Sequence, residues 1–237
     1  MVFAMRLSGY ISSVATAAFI ALAATAPSPS WAADNALRQT PGSTAQAAPL
    51  VQLADAATGP RLENGDMVIG AANAPITIIE YASLTCPHCA RFHTETLPKL
   101  KSEYVETGKV KYVFRDFPLD GLALRAAAIA HCAGPERYFT YLDVFFQQQA
   151  NWTRGNDPEQ MLVQLKRLAR TGGMSEAQID DCLKNKQVQD SILASRMTGE
   201  NQFNVRSTPT LVINGQSHPG ALPFDELEKL LKPLLKS

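Results

Sequence analysis

The sequence lacks an excess of charge of either sign, because its 237 residues include 22 lysine and arginine residues and 22 aspartate and glutamate residues. It also has no long run of basic residues. Proteins that bind nucleic acid need a basic surface to neutralise phosphate charges, so the composition argues against a nucleic-acid partner. With 46% hydrophobic residues, the chain is long enough for one ordinary core with an additional subdomain.

Cysteine is also scarce, and the four cysteines are at positions 86, 89, 132 and 182. A structural zinc site commonly takes four ligands from two pairs, and the sequence has no second Cys-x-x-Cys. His88 and His93 are close to the pair, but His88 would have to face the same metal as both neighbouring thiols. A purely structural disulfide is the other alternative, although Cys86–Cys89 closes too small a loop to stabilise much. The pattern favours redox chemistry.

The N-terminal region lacks an apolar stretch long enough to cross a membrane. Arg6 precedes an apolar segment at residues 11–24, which is shorter than the ~20 residues that a spanning helix needs. Ser30-Trp31-Ala32 is similar to a signal-peptidase cleavage site. This pattern predicts a secretory signal peptide at residues 1–32, with an uncleaved N-terminal anchor as the alternative. Residues 33–62 have no sustained apolar period, which predicts a flexible linker before a domain at residues 63–237.

The stretch Cys86-Pro87-His88-Cys89 lies between a strand pattern and a helix pattern. An apolar, β-branched run at residues 76–81 precedes it, and residues 89–104 follow with helical periodicity. Pro98 predicts a kink or break in that helix near this residue. The N-terminus of a helix stabilises negative charge, so Cys86 is the thiol that we expect to ionise.

The later part of the chain changes from strand patterns to helix patterns and back. After a strand predicted at 110–114, amphipathic and capping patterns predict four or five helices over residues 119–203. Strand signals return at 208–213, and Asn214-Gly215 predicts a hairpin turn. A last helix is predicted from Pro223. The order is that of an α/β protein with a helical insertion.

Together these motifs resemble the thioredoxin superfamily and, within it, the DsbA-type periplasmic thiol:disulfide oxidoreductases. The resemblance rests on the Cys-Pro-His-Cys tetrapeptide and on Glu80, where the family keeps a buried acidic residue. It rests also on Thr208-Pro209, where the family has a cis-proline, and on Phe117-Pro118-Leu119-Asp120 before the insertion. It covers about residues 64–236 and implies a thioredoxin fold with an inserted all-helical subdomain.

The resemblance implies a role for each residue of the tetrapeptide. Cys86 is the expected nucleophile, and His88 beside it would donate a hydrogen bond or a positive charge to the thiolate. Pro87 fits the first helical turn. Cys89 is expected to be buried and to resolve the mixed disulfide. For His88, a surface residue without a role in the chemistry is the alternative.

Glu80, Thr208 and Pro209 are expected to complete the site. A buried carboxylate is costly without a partner, so Glu80 would act as a proton acceptor beneath Cys89; a solvent-facing Glu80 is the alternative. A cis Pro209 would place a backbone edge beside the sulfurs for substrate pairing, with Thr208 tuning the site, and a trans-proline at a strand entrance is the alternative.

Cys132 and Cys182 lie on apolar faces of predicted helices within the insertion. We expect a second, structural disulfide between them, because an exported protein keeps its disulfides. Two buried free thiols are the alternative.

The function predicted is that of a periplasmic thiol:disulfide oxidoreductase. It would donate the Cys86–Cys89 disulfide to folding client proteins through a mixed disulfide on Cys86, with no cofactor and no metal. The resemblance implies two kinds of partner: unfolded or reduced exported proteins, and a DsbB-type membrane quinone-linked reoxidase. After signal cleavage, no stable membrane insertion is expected. A disulfide isomerase, a reductase and a client-holding chaperone without redox chemistry remain alternatives.

Overall fold

The computed structural model describes residues 59–236. These residues fold around a six-stranded mixed sheet. The strands are β1 (Arg61–Glu63), β2 (Asp66–Ile69), β3 (Ile76–Ala82), β4 (Val110–Asp116), β5 (Thr210–Ile213) and β6 (Gln216–Pro219). Their order is β1-β2-β4-β3-β5-β6; β3 and β4 are parallel and the other neighbours are antiparallel. The predicted signal peptide at residues 1–32 lies outside the described residues, as does residue range 33–58 of the predicted linker.

The end of the predicted linker needs a correction. Arg61 and Leu62 belong to β1, where Arg61 is paired with Val68 of β2. The Arg61 guanidinium also donates to the Gly70 carbonyl at 2.6 Å. Composition alone did not indicate this strand because its three residues are too few to show an alternating pattern.

The central strand β3 divides its side chains between two hydrophobic clusters. Successive side chains of a strand point to opposite faces. Ile76 and Ile78 therefore pack into the main core, whereas Ile79 and Tyr81 pack into a smaller cluster on the other face. Glu80 has the same parity as Ile78, and this directs its carboxylate into the main core.

A helical segment connects β3 to the parallel strand β4. It comprises α1 (Pro87–Arg91), a π-helical turn (Phe92–Thr96), α2 (Leu97–Leu100) and a second π-helical turn (Lys101–Val105). The interruption predicted near Pro98 is a local widening of the helix. The Leu97 N–H donates to the carbonyl of Phe92, five residues earlier. Pro98 has no N–H for an α-helical bond, and the wider turn lets the chain continue in the same direction.

The insertion between β4 and β5 is entirely helical. Its helices are α3 (Gly121–Cys132), α4 (Pro135–Gln147), α5 (Gln149–Trp152), α6 (Pro158–Thr171), α7 (Glu176–Lys184) and α8 (Lys186–Gln202). Six helices therefore replace the four or five predicted, because Gln148 leaves the helical region at φ −100° and ψ 10° and separates α5 from α4. The capping box predicted from Ser175 to Gln178 is present at the start of α7.

The chain returns to the sheet through the predicted hairpin. Asn214 and Gly215 both have positive φ, 45° and 88°, and they join β5 to β6. The last helix, α9 (Phe224–Leu234), packs against the main core through Leu227 and Leu231. The predicted fold class, an α/β thioredoxin fold with an inserted helical subdomain, is confirmed. Across residues 59–236, no helix is both long enough and apolar enough to span a membrane.

Candidate active site

The Cys-Pro-His-Cys stretch begins the helical segment that follows β3. Cys86 is the N-cap residue of α1, with an extended backbone, and Pro87 takes the first helical position. Cys89 lies one turn further along, inside the main core. Both thiols are free and buried, with 6% of Cys86 exposed and 0% of Cys89. Cys86 is therefore the more accessible of the two sulfurs.

The surroundings of Cys86 favour its thiolate. The pKa of Cys86 is lowered from 9.0 to about 5, chiefly because the Cys89 thiol donates a hydrogen bond to it. Burial acts in the opposite direction, but the Thr208 side chain and the backbone N–H groups of Cys89 and His88 also favour the charged sulfur. Such N–H groups have no intrahelical acceptor in the first turn of a helix. A thiolate at this N-cap position supplies one.

The environment of Cys89 has the opposite effect. Burial raises the pKa of Cys89 far above its ordinary value, and the hydrogen bond to Cys86 and the charge of Glu80 raise it further. The pKa values of the two thiols in this short motif therefore shift in opposite directions, with Cys86 ionised and Cys89 protonated at neutral pH. This asymmetry suits a pair in which one sulfur attacks and the other resolves.

Thr208 faces Cys86 from the loop that precedes β5. In the thiol form, Cys86 Sγ donates to the Thr208 carbonyl oxygen at 3.4 Å. The Thr208 hydroxyl oxygen is buried and has no hydrogen-bond partner among residues 59–236. It can therefore donate to the sulfur once Cys86 has ionised, which is one cause of the lowered pKa of Cys86. The Thr208–Pro209 peptide bond is cis.

His88 contributes through its backbone rather than through its ring. The side chain is exposed, and Nδ1 lies 3.0 Å from the Arg91 guanidinium. Because arginine only donates hydrogen bonds, Nδ1 accepts and the proton of the neutral ring is on Nε2. The sequence led us to expect that the imidazole supports the thiolate, whereas the structure gives this contact to the His88 backbone N–H.

Glu80 is completely buried, at 0% exposure, so it is not a solvent-facing residue at the end of a strand. Its Oε2 accepts hydrogen bonds from the Tyr112 hydroxyl and from His93 Nε2, the latter at 3.0 Å. Sequence reasoning considered His93 only as a possible zinc ligand and did not consider Tyr112. His93 lies four residues after Cys89, so both side chains are on the same face of the helical segment. This spacing is the signal that could have identified His93.

Gln149 is a second residue that the sequence did not indicate. It lies on α5 with 6% exposure, and its Nε2 donates to the carbonyl oxygens of Leu84 at 2.8 Å and Cys86 at 3.0 Å. Asp120, the N-cap residue of α3, accepts a hydrogen bond from Thr85 at 2.7 Å. Two side chains of the helical insertion, Gln149 and Asp120, therefore form hydrogen bonds with the loop that carries Cys86.

We expect the Gln149→Met variant to loosen this loop. The side chain keeps its length but leaves the Leu84 carbonyl without its donor, so the free energy of unfolding should fall by about 1–3 kcal/mol. The pKa of Cys86 should rise from about 5, because the donors around the sulfur lose their alignment. Denaturant unfolding and thiolate absorbance measure the two effects. Gln147→Met, at an exposed position on α4, is the matched control, and equal effects in both variants would contradict the prediction.

Cys132 and Cys182 form a disulfide that connects α3 to α7. Both cysteines belong to the main core or pack against it. The pair is separate from the Cys86–Cys89 site and holds the insertion together. In the described part of the chain, no group of three or more His, Cys, Asp or Glu side chains is placed to hold a metal ion.

Comparison with known proteins gives a consistent result. The family model described as Thioredoxin matches residues 62–233. A crystal structure of alpha-DsbA1 from Wolbachia pipientis superposes with a TM-score of 0.68 and 31% identity, covering 73% of this chain and 92% of that one. The structure of oxidised BdbD from Bacillus subtilis has a TM-score of 0.66 at 21% identity, covers 77% of this chain and 100% of that one, and agrees in fold.

One curated relative is named as a candidate protein-disulfide oxidoreductase of Rickettsia typhi. It is 31% identical over 156 residues, which are 65% of this chain and 57% of the relative. The match thus spans little more than half of that relative's length. The disulfide bond formation protein D of Bacillus subtilis is 24% identical over 190 residues, which are 77% of this chain and 82% of that protein.

Proposed function

We propose a function from the premise that this chain belongs to the thioredoxin superfamily and, within it, to the DsbA-type proteins. The protein is a thiol:disulfide oxidoreductase that donates its Cys86–Cys89 disulfide to client proteins. A client thiolate attacks Cys86 Sγ, the Cys86–Cys89 bond breaks, and Cys89 leaves with the electron pair and takes a proton. A second client thiolate then attacks the client sulfur of the mixed disulfide. Cys86 leaves as a thiolate, and the client is oxidised.

The observation that carries this proposal is the opposite effect of the site on its two sulfurs. The pKa of Cys86 is lowered to about 5, so Cys86 is a good leaving group at neutral pH. A stable thiolate favours the reduced form, and a stable reduced form makes the disulfide a stronger oxidant. This supports the oxidase over the reductase, for which a less stable thiolate would serve better.

The proposal includes the place of action and the partners. The signal pattern at residues 1–32 supports export to the periplasm, where reduced, newly exported proteins are the clients. Each turnover leaves the protein reduced, so a reoxidant is required. A DsbB-type membrane quinone-linked reoxidase supplies it, as the family resemblance implies. Pro209 and Thr208 present a backbone edge to the client next to Cys86.

Oxidative refolding of a reduced test protein, combined with titration of Cys86, tests the function. We expect the oxidised protein to introduce disulfides stoichiometrically at pH 7 and the thiolate absorbance of the reduced protein to titrate with a pKa of about 5. The lowered pKa stabilises the reduced form at neutral and alkaline pH, and this stabilisation is lost as pH falls through about 5. Relative to the glutathione couple, whose thiol has an ordinary pKa, the Cys86–Cys89 disulfide should therefore become a weaker oxidant below that pH. A titration near 9.0, the ordinary value for this thiol, would exclude a strong oxidase.

Two further assays, refolding of a scrambled substrate and suppression of client aggregation, separate the alternatives. A disulfide isomerase would act on scrambled substrates in preference to reduced ones. A client-holding chaperone would suppress aggregation without Cys86 and Cys89. Neither behaviour is expected here.

A further inference from the structure

Two buried polar atoms in the core beneath the active site have no hydrogen-bond partner among the residues described: Glu80 Oε1 and His93 Nδ1. A buried polar atom without a partner destabilises a fold, so each example needs a reason. Both atoms belong to one buried carboxylate–imidazole pair, in which Glu80 Oε2 lies 3.0 Å from His93 Nε2 with 0% and 1% side-chain exposure. A buried polar pair whose only role was stability would have partners at these positions as well.

The packing around His93 fixes the direction of its ring. The ring stacks against Phe146 with 4.0 Å between the ring centroids and meets the edge of Phe114 at 5.6 Å. The Nε2 atom of this ring lies 3.0 Å from Glu80 Oε2, whereas Nδ1 has no hydrogen-bond partner among residues 59–236.

The titratable groups around the pair come from several elements. Tyr112 of β4 donates to Glu80, and the Glu80 charge acts on Cys89 of α1. Beyond them, Tyr138 and Asp143 of α4 interact with Tyr112. Cys89 is the member of this set whose proton must move during thiol exchange.

We propose that His93 is a positioning residue for proton transfer at Cys89 and that it acts through Glu80. The His93 and Tyr112 donors occupy Oε2, so the lone pairs of Oε1 are the ones available to take a proton. The same two hydrogen bonds hold the carboxylate of Glu80 in one orientation. This inference rests on the proposed function and adds to it the residue that prepares the proton acceptor.

The step is clearest in the direction of oxidation by glutathione disulfide. Cys86 first attacks glutathione disulfide, and a mixed disulfide forms while one glutathione thiolate leaves. The Cys89 thiol then gives its proton to Glu80 Oε1, and its sulfur attacks Cys86 Sγ. The Cys86–Cys89 bond forms, the bond to glutathione breaks, and the second glutathione leaves with the electron pair. In the client-oxidising direction, the same proton returns to Cys89.

Stopped-flow mixing of the reduced protein with glutathione disulfide separates the two steps. The rate of the first phase depends on the glutathione disulfide concentration and reports Cys86, whereas the second phase is independent of that concentration and reports Cys89. In His93→Phe, which keeps an aromatic ring but removes the donor, we expect the second phase to slow about tenfold at pH 6. The inflection of the pH profile of this phase should move to higher pH, because a hydrogen-bond donor to the proton-accepting side chain is lost. The first phase should be unchanged.

Two further variants make the test specific. His93→Gln retains an N–H donor and should restore the wild-type pH profile. Tyr112→Phe removes the other donor to Oε2 and should shift the profile in the same direction as His93→Phe, which tests the inference even if His93→Phe does not fold. A wild-type profile in His93→Phe, or in Tyr112→Phe where His93→Phe does not fold, would overturn the inference, as would a His93→Gln profile that matches His93→Phe.

The outcome is distinguishable from failure of the proposed function. If the protein is not an oxidoreductase, the first phase and the oxidative refolding of a client are both missing in the wild type. If only the inference about His93 is wrong, both are present in the wild type, and the second phase in the variants keeps its wild-type pH dependence.

Discussion

Replacing Cys86 with serine should reduce disulfide transfer to a reduced client by at least about a thousandfold, down to the background rate of air oxidation. A serine oxygen cannot form the mixed disulfide, and Cys89 is too deeply buried, at 0% exposure, to replace Cys86 as the attacked sulfur. Oxidative refolding followed by thiol quantification measures the loss. Activity retained in Cys86→Ser would show that the transferred disulfide is elsewhere, and Cys132–Cys182 would be the first candidate.

Cys89→Ala is the matched variant, and its expected defect is different. Cys86 can still attack a disulfide, but no resolving thiol follows, so a stable adduct of Cys86 with one glutathione should accumulate. The pKa of Cys86 should also rise from about 5 toward 9.0, because the Cys89 thiol is the largest cause of its lowering. Mass spectrometry detects the adduct, and thiolate absorbance follows the titration. Rapid loss of the adduct would contradict the assignment of Cys89 as the resolving thiol.

Removal of the second disulfide should have the largest effect on stability. The Cys132→Ala, Cys182→Ala double variant loses a crosslink between residues 50 positions apart. The chain-entropy model gives a loss of about 4 kcal/mol in the free energy of unfolding for a loop of this size. Denaturant unfolding of the oxidised wild type and the double variant measures the difference. Disulfide transfer to a client should continue at temperatures where the variant is folded, because Cys86 and Cys89 are unchanged.

A thiol count provides the control for that prediction. In a Cys86→Ser, Cys89→Ser variant, alkylation under denaturing, non-reducing conditions should label no cysteine. Two labelled thiols would mean that Cys132 and Cys182 are free in solution, and the predicted loss of stability would then have no basis.

Local patterns were sufficient to predict much of the fold. The β-branched run before Cys86, the Asn214-Gly215 turn and the helical periodicity of residues 119–203 each depend on neighbours in the sequence. Their predictions agree with β3, the β5–β6 hairpin and the helical insertion. The same holds for the position of Cys86 at a helix N-terminus, because N-capping is a property of a few consecutive residues.

The sequence by itself thus determined the chemical type of the site, a Cys-x-x-Cys pair at the start of a helix, and the class of fold that presents it. The family resemblance also suggested Thr208, which contacts Cys86 from 122 residues away. Only the tertiary structure showed that Gln149 of α5 holds the same loop and that His93 binds Glu80 within the core. Hydrogen-bond partners across a fold depend on how strands and helices pack, and no local periodicity encodes that.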